Sequence, residues 1–118
     1  MRRTALALTL LFAVLLAACS DPLPPDKRAY AGDWRGAQMR LLITLDGRCE
    51  YERKFDGGRS SKISAPIQRF EGDNFVVGLG PMGTTFKVSR PPQLVGGQWK
   101  MVVDGVELTR FGGDEVRT

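Results

Sequence analysis

The sequence predicts an all-β protein: a small antiparallel meander that closes as a barrel or sandwich of about six to eight strands, preceded by an N-terminal signal helix. Three observations lead there. From Gln38 onward, apolar and polar residues alternate with period two. Gly and Asp turn signals break that alternation about every 8–12 residues. After the first 18 residues no long stretch carries the 3.6-residue periodicity of an amphipathic helix.

The strands follow in order. Met39, Leu41, Ile43 and Leu45 alternate with Arg40, Leu42 and Thr44, up to a turn at Asp46-Gly47. Cys49, Tyr51 and Phe55 alternate with Arg48, Glu50, Glu52 and Lys54, up to Asp56-Gly57-Gly58. Ile63, Ala65 and Ile67 share a face before the turn Glu71-Gly72-Asp73-Asn74. Phe75, Val77 and Leu79 come next, then Phe86 and Val88, then Trp99, Met101 and Val103, and finally Val106 and Leu108 beyond Asp104-Gly105. Arg90-Pro91-Pro92 and Gly96-Gly97 bracket an expected surface loop, a place where contact sites concentrate.

Register tests two of the hairpins. A two-residue loop at Asp104-Gly105 pairs Val103 with Val106 and Met101 with Leu108, so the apolar sets share a face. The same loop at Asp46-Gly47 sets Ile43 against Glu50. The first hairpin therefore needs an odd-length loop or a bulge, with Ile43 expected opposite Tyr51 and Met39 opposite Phe55.

Ahead of the strands, Met1-Arg2-Arg3 leads into an uncharged, Leu- and Ala-rich run of 15 residues, 4–18. A basic start, a short apolar stretch and small residues at its end make a secretory signal. The run falls short of the roughly 18–20 residues that span a bilayer. Its end, Leu16-Ala17-Ala18-Cys19, resembles the lipobox of bacterial lipoproteins. The resemblance implies that Leu16, Ala17 and Ala18 are read by the signal peptidase and that cleavage falls before Cys19. It also implies a diacylglycerol on the Cys19 thiol and an acyl group on the new amine. Two or three chains hold a protein firmly, at about 0.8 kcal/mol per buried methylene. Ser20 rather than Asp follows the cysteine, and by resemblance to the sorting rule of Gram-negative lipoproteins this points to the periplasmic face of the outer membrane.

Four segments result: signal peptide 1–18, lipid-anchored tether 19–29, β domain 30–112 and flexible tail 113–118. Pro22, Pro24 and Pro25 favour an extended, semi-rigid tether reaching roughly 25 Å at about 3.1 Å per residue. A short turn or helix is expected between Arg28 and Trp34.

Composition narrows the function. Removing 1–18 from 118 residues leaves 100, enough for one domain with a modest core. The net charge of +4 falls to +2 without Arg2 and Arg3, and no long basic run supports nucleic-acid binding. The chain has no His, the commonest general base and a common metal ligand. With Cys19 lipidated, Cys49 is the only thiol left, so no internal disulfide can form. Cys49 shares a face with Tyr51 and Phe55, which predicts an inert core thiol. Glu50 and Glu52 share a polar strand face and are read as solvated beside Arg48 and Lys54. Arg53, Lys54, Arg59 and Lys62 are read as a solvated strand end. Gly78-Leu79-Gly80-Pro81-Met82-Gly83 matches the spacing of a dinucleotide loop, but strand formers follow where a helix is required, so it is read as a turn.

Gly32-Asp33-Trp34 resembles the Gly-x-Trp motif near the first strand of lipocalins and related small barrels. The resemblance implies a barrel closed at one end by Trp34. It also implies a carrier of a small apolar ligand, in a cavity lined by Trp34, Phe75, Phe86 and Trp99. The leading expectation is a different one: a non-catalytic interaction domain, without cofactor beyond its covalent lipid, anchored to the membrane and contacting another envelope protein.

Overall fold

The computed structural model describes residues 20–112. The expected signal helix, Leu16, Ala17, Ala18, Cys19 and the 113–118 tail lie outside the described residues. The rest is all-β apart from one 3-10 helix, η1 (Pro25–Tyr30).

Nine strand segments follow: β1 (Gly32–Gly36), β2 (Met39–Ile43), β3 (Arg48–Lys54), β4 (Ser60–Glu71), β5 (Asn74–Leu79), β6 (Met82–Phe86), β7 (Val88–Val95), β8 (Gln98–Val103) and β9 (Val106–Phe111). They form one antiparallel sheet in the order β6-β5-β4-β3-β2-β1-β9-β8-β7, curled toward a barrel. The terminal strands β1 and β9 pair in its middle. The two edges, β6 and β7, are separated only by Lys87 and, by the alternation of the sheet, run the same way. They are two halves of one bent strand. Phe86 and Val88 are both buried, as residues two apart on one strand face should be. The first half pairs with β5 and the second with β8. The joint is pinned from both sides. Lys87 N–H donates to Asp104 Oδ1 at 2.9 Å, Asp104 N–H donates to the Lys87 carbonyl at 2.8 Å, and Val88 N–H donates to Asn74 Oδ1 at 2.7 Å. This break explains why nine segments stand where six to eight strands were expected.

The last hairpin has the expected register, Val103 opposite Val106 and Met101 opposite Leu108. Asp104 and Gly105 both have positive φ, 48° and 80°, the tight turn that suits the strand twist. The first hairpin has the expected odd loop, Leu45-Asp46-Gly47, closed by Thr44 N–H donating to the Arg48 carbonyl at 3.0 Å. Its pairing is shifted by two residues from the expected one. Ile43 faces Cys49 and Met39 faces Arg53. Gly47, at φ 91°, takes the left-handed position that ends such a loop, so Arg48 already belongs to the strand. Phe55 then falls beyond β3 and is exposed, with Arg53 and Arg59 stacked on its ring.

Two further expectations are corrected. Pro91 and Pro92 lie within β7 rather than in a loop. An edge strand tolerates residues without an N–H, and the ladder to β8 is bulged at this point. Gly96-Gly97 forms the turn that follows. The described part of the 19–29 segment, expected as an extended, semi-rigid tether, is docked on the domain through Leu23. Leu23 is only 5% exposed, and its N–H donates to the Leu45 carbonyl at 3.0 Å. Pro25, whose fixed φ suits the first helical position, starts η1. η1 ends at Tyr30, which is buried with its hydroxyl donating to the Asp73 carbonyl at 2.8 Å.

The interior is continuous side chain. Trp34, Leu41, Ile43, Cys49, Phe75, Met101, Val103 and Leu108 have no exposed surface. Each contributes roughly 1.5–3 kcal/mol by burial. Phe75 stacks on Phe86 with centroids 5.2 Å apart, Tyr51 meets Phe86 edge-on at 4.9 Å, and Tyr30 meets Phe70 edge-on at 5.2 Å.

Candidate functional site

The four residues expected to line a ligand cavity are part of this packing. Trp34 is fully buried on β1, and its indole N–H donates to the Tyr30 carbonyl at 2.9 Å. Phe75 and Phe86 fill the centre against each other. Trp99 is half-buried on β8 beneath the Arg110 guanidinium, 5.1 Å from the ring centroid. The alternation that places these residues inward is the same for a hollow barrel and a filled one, so the pattern could not separate the two. Arg110, which no sequence signal singled out, occupies the space that a side chain at Gly32 would need. In this chain Gly32 makes room for that arginine.

Cys49 is buried as expected. Burial, and then the nearby Glu50 carboxylate, push its thiol up to about 12, so it stays protonated and unreactive. Gly78 to Gly83 form a strand end, a two-residue turn at Gly80-Pro81 and a strand start, with no helix to receive a phosphate.

An open concavity of about 360 Å³ lies on the outer face, where β2, β3 and β4 run side by side. Even spacing on each strand sends Arg40 and Leu42, Glu50 and Glu52, and Lys62 and Ser64 to this face. Register aligns them into two rows: Arg40, Glu52 and Lys62 in one, Leu42, Glu50 and Ser64 in the other. Lys62 Nζ reaches Glu52 at 3.6 Å, while Arg40 turns toward β1 and meets Asp33 at 3.2 Å. Arg35 binds the same carboxylate at 2.9 Å. Partial burial alone would raise the Asp33 carboxyl, but the hydrogen bonds from Arg35 and Arg40 outweigh it and hold the group below its ordinary range. Glu50, beside Leu42, has no ion-pair partner among the described residues. The outcome is a mixed-charge groove, lined also by Leu42, Tyr51 and Ile63, with one uncommitted carboxylate. It suits recognition of a chain or surface of complementary charge. The two glutamates were legible as a shared polar face, but Arg40, Leu42 and Lys62 join them only through the register.

A second arrangement concerns the N-terminal segment. Asp21 packs its carbonyl against Gly47, where any side chain would overlap it. Ile67 N–H donates to the Gly47 carbonyl at 2.8 Å, joining the same loop to β4. Ser20 and Asp21 line one hollow together with Gly78, Leu79 and Gly80 at the β5–β6 turn. The described chain therefore begins beside that hairpin tip. Among the described residues no helix is long and apolar enough to cross a membrane, and no cluster of three or more acidic or Cys side chains could hold a metal ion. No protein-family model, no curated protein and no solved structure matches this chain at a significant level.

Proposed function

We propose that this chain is a lipid-anchored lipoprotein of the cell envelope whose β domain is a non-catalytic binding module for a protein partner. The observation that carries the anchoring is Leu16-Ala17-Ala18-Cys19 at the end of a basic-then-apolar leader. The domain begins to pack within a few residues of that cysteine, at Asp21 and Leu23. Binding without catalysis fits a groove of paired and solvated charges and a single thiol buried out of reach. The partner surface on this reading is the outer face of β2–β4, with Glu50 and Leu42 as its free groups. Ser20 rather than Asp after the cysteine, by resemblance to the sorting rule of Gram-negative lipoproteins, supports the periplasmic face of the outer membrane. The carrier alternative needs an opening between Trp34, Phe75 and Phe86, which here pack as core.

Two readouts test the proposal. Cells given radiolabelled palmitate should incorporate it into this protein, and Cys19→Ala should abolish the label. A photoreactive residue at Leu42 should yield one discrete adduct in intact cells, whereas the same residue at Thr109 on β9 should not. Absence of palmitate removes the anchor from the account. Identical patterns at positions 42 and 109 remove the binding face.

A further inference from the structure

The β5–β6 hairpin ends in two bare apolar side chains. Leu79 is 62% exposed and Met82, its cross-strand partner, is 78% exposed. The whole hairpin, residues 74–86, contains no charged residue. At the turn, Pro81 has no N–H to leave unpaired, and the Gly80 carbonyl accepts a hydrogen bond from Gln68 Nε2 at 2.9 Å. The tip thus exposes methyl and thioether groups, and the Gly80 carbonyl at its turn is paired.

Its position selects the medium. Ser20 and Asp21 share a hollow with Gly78, Leu79 and Gly80. Docking of Asp21 on Gly47 and burial of Leu23 remove the free tether that would hold the domain away from its anchor. On the lipoprotein reading the lipid is attached one residue before Ser20 in the sequence, and Ser20 shares its hollow with the tip. The β7–β8 turn also bares two apolar side chains, Leu94 and Val95, but nothing ties that turn to the anchor.

We propose that the β5–β6 tip, through Leu79 and Met82, inserts into the interfacial layer of the bilayer that holds the anchor and fixes the orientation of the domain on the membrane. This rests on the lipoprotein reading above. The acyl chains hold the protein on the surface, and the hairpin is a second, weaker contact that limits rotation about the anchor. The β3–β4 turn, with Phe55, Arg53 and Arg59, lies at the other end of β3, roughly 20 Å along the strand from the Gly47 loop that holds Asp21.

The test uses the lipidated full-length protein in vesicles of phosphatidylethanolamine and phosphatidylglycerol. An environment-sensitive fluorophore is attached at Met82→Cys or, as control, at Phe55→Cys. Cys49 is buried and stays unlabelled. The label at 82 should lose roughly half its emission to quenchers carried on the acyl chains and be shielded from aqueous iodide, while the label at 55 should show the reverse. An intact mass on each sample reports the lipid on Cys19 independently. A lipidated protein whose label at 82 is open to iodide and untouched by the lipid quencher overturns the inference and leaves the anchor standing. A label at 82 shielded from both quenchers indicates contact with a second copy of the chain and also overturns it. A protein without lipid on Cys19 overturns the lipoprotein reading and this inference with it.

Discussion

Gly47→Ala probes the contact that turns an expected tether into part of the fold. Gly47 has φ 91°, and a side chain there would overlap the Asp21 carbonyl. Left-handed backbone costs a non-glycine residue roughly 1–2 kcal/mol. Displacing Asp21 also frees Leu23. Exposure of that side chain costs about 2 kcal/mol, and loss of the Leu23–Leu45 hydrogen bond costs about 1 kcal/mol more. The expected destabilisation is about 4–5 kcal/mol. Gly105→Ala is the control. It has φ 80° and nothing within 4 Å of a new side chain, so only the backbone term of about 1–2 kcal/mol applies. Urea unfolding followed by the fluorescence of buried Trp34 measures both variants. Amide exchange at Leu23 should rise in Gly47→Ala alone. Equal destabilisation of the two variants, with Leu23 still protected in both, would refute the docking of the N-terminal segment.

Four other outcomes follow from the structure. Stability should hold through neutral pH and fall as pH rises above about 9, because the unfolded Cys49 thiol ionises there while the folded one, raised to about 12, does not. The slope from this group is at most about 1.4 kcal/mol per pH unit, and Cys49→Ala should remove it. Tyr30, raised to about 12 by burial and by Asp73 and Asp26, contributes a further fall of the same sign above pH 10, which urea unfolding of the Cys49→Ala variant should retain. Trp34→Ala should cost about 3–5 kcal/mol in urea unfolding followed by far-ultraviolet circular dichroism, whereas a ligand-lining residue would change stability far less. Asp33→Asn should cost under about 1 kcal/mol, because its arginine partners are half-exposed. The native Asp33 contribution should be present above its ordinary carboxylate pKa and fade as pH falls through its lowered folded value, in a low-salt acid titration.

The strand pattern was legible where one face is buried. Leu41 and Ile43, or Met101 and Val103, could point only inward, and Asp104-Gly105 supplied a turn of known hand, so the last hairpin followed from its residues. The first hairpin was legible in loop parity but not in pairing. Its register depends on Gly47 taking the left-handed position and on Leu45 lending its carbonyl to Leu23, a contact 22 residues away in sequence. The tether was misread for the same reason. Pro22-Leu23-Pro24-Pro25 looks extended and solvated until the β2–β3 loop offers Leu23 a place. The bend at Lys87 is held by Asn74 and Asp104, turn residues of two other hairpins, and local sequence does not contain that meeting. The outer groove shows the limit at the candidate site: Glu50 and Glu52 could be placed on a common face, but their neighbours Leu42 and Lys62 required the register.

The central claim is that Cys19 carries the lipid that places this domain on a membrane. An intact-mass spectrum of the protein purified from envelopes tests it most directly. The account predicts a chain starting at Cys19, with residues 1–18 gone and the added mass of a diacylglyceryl group on the thiol and an acyl group on the amine. A retained leader, or a chain beginning at residue 19 with an unmodified cysteine, would contradict it.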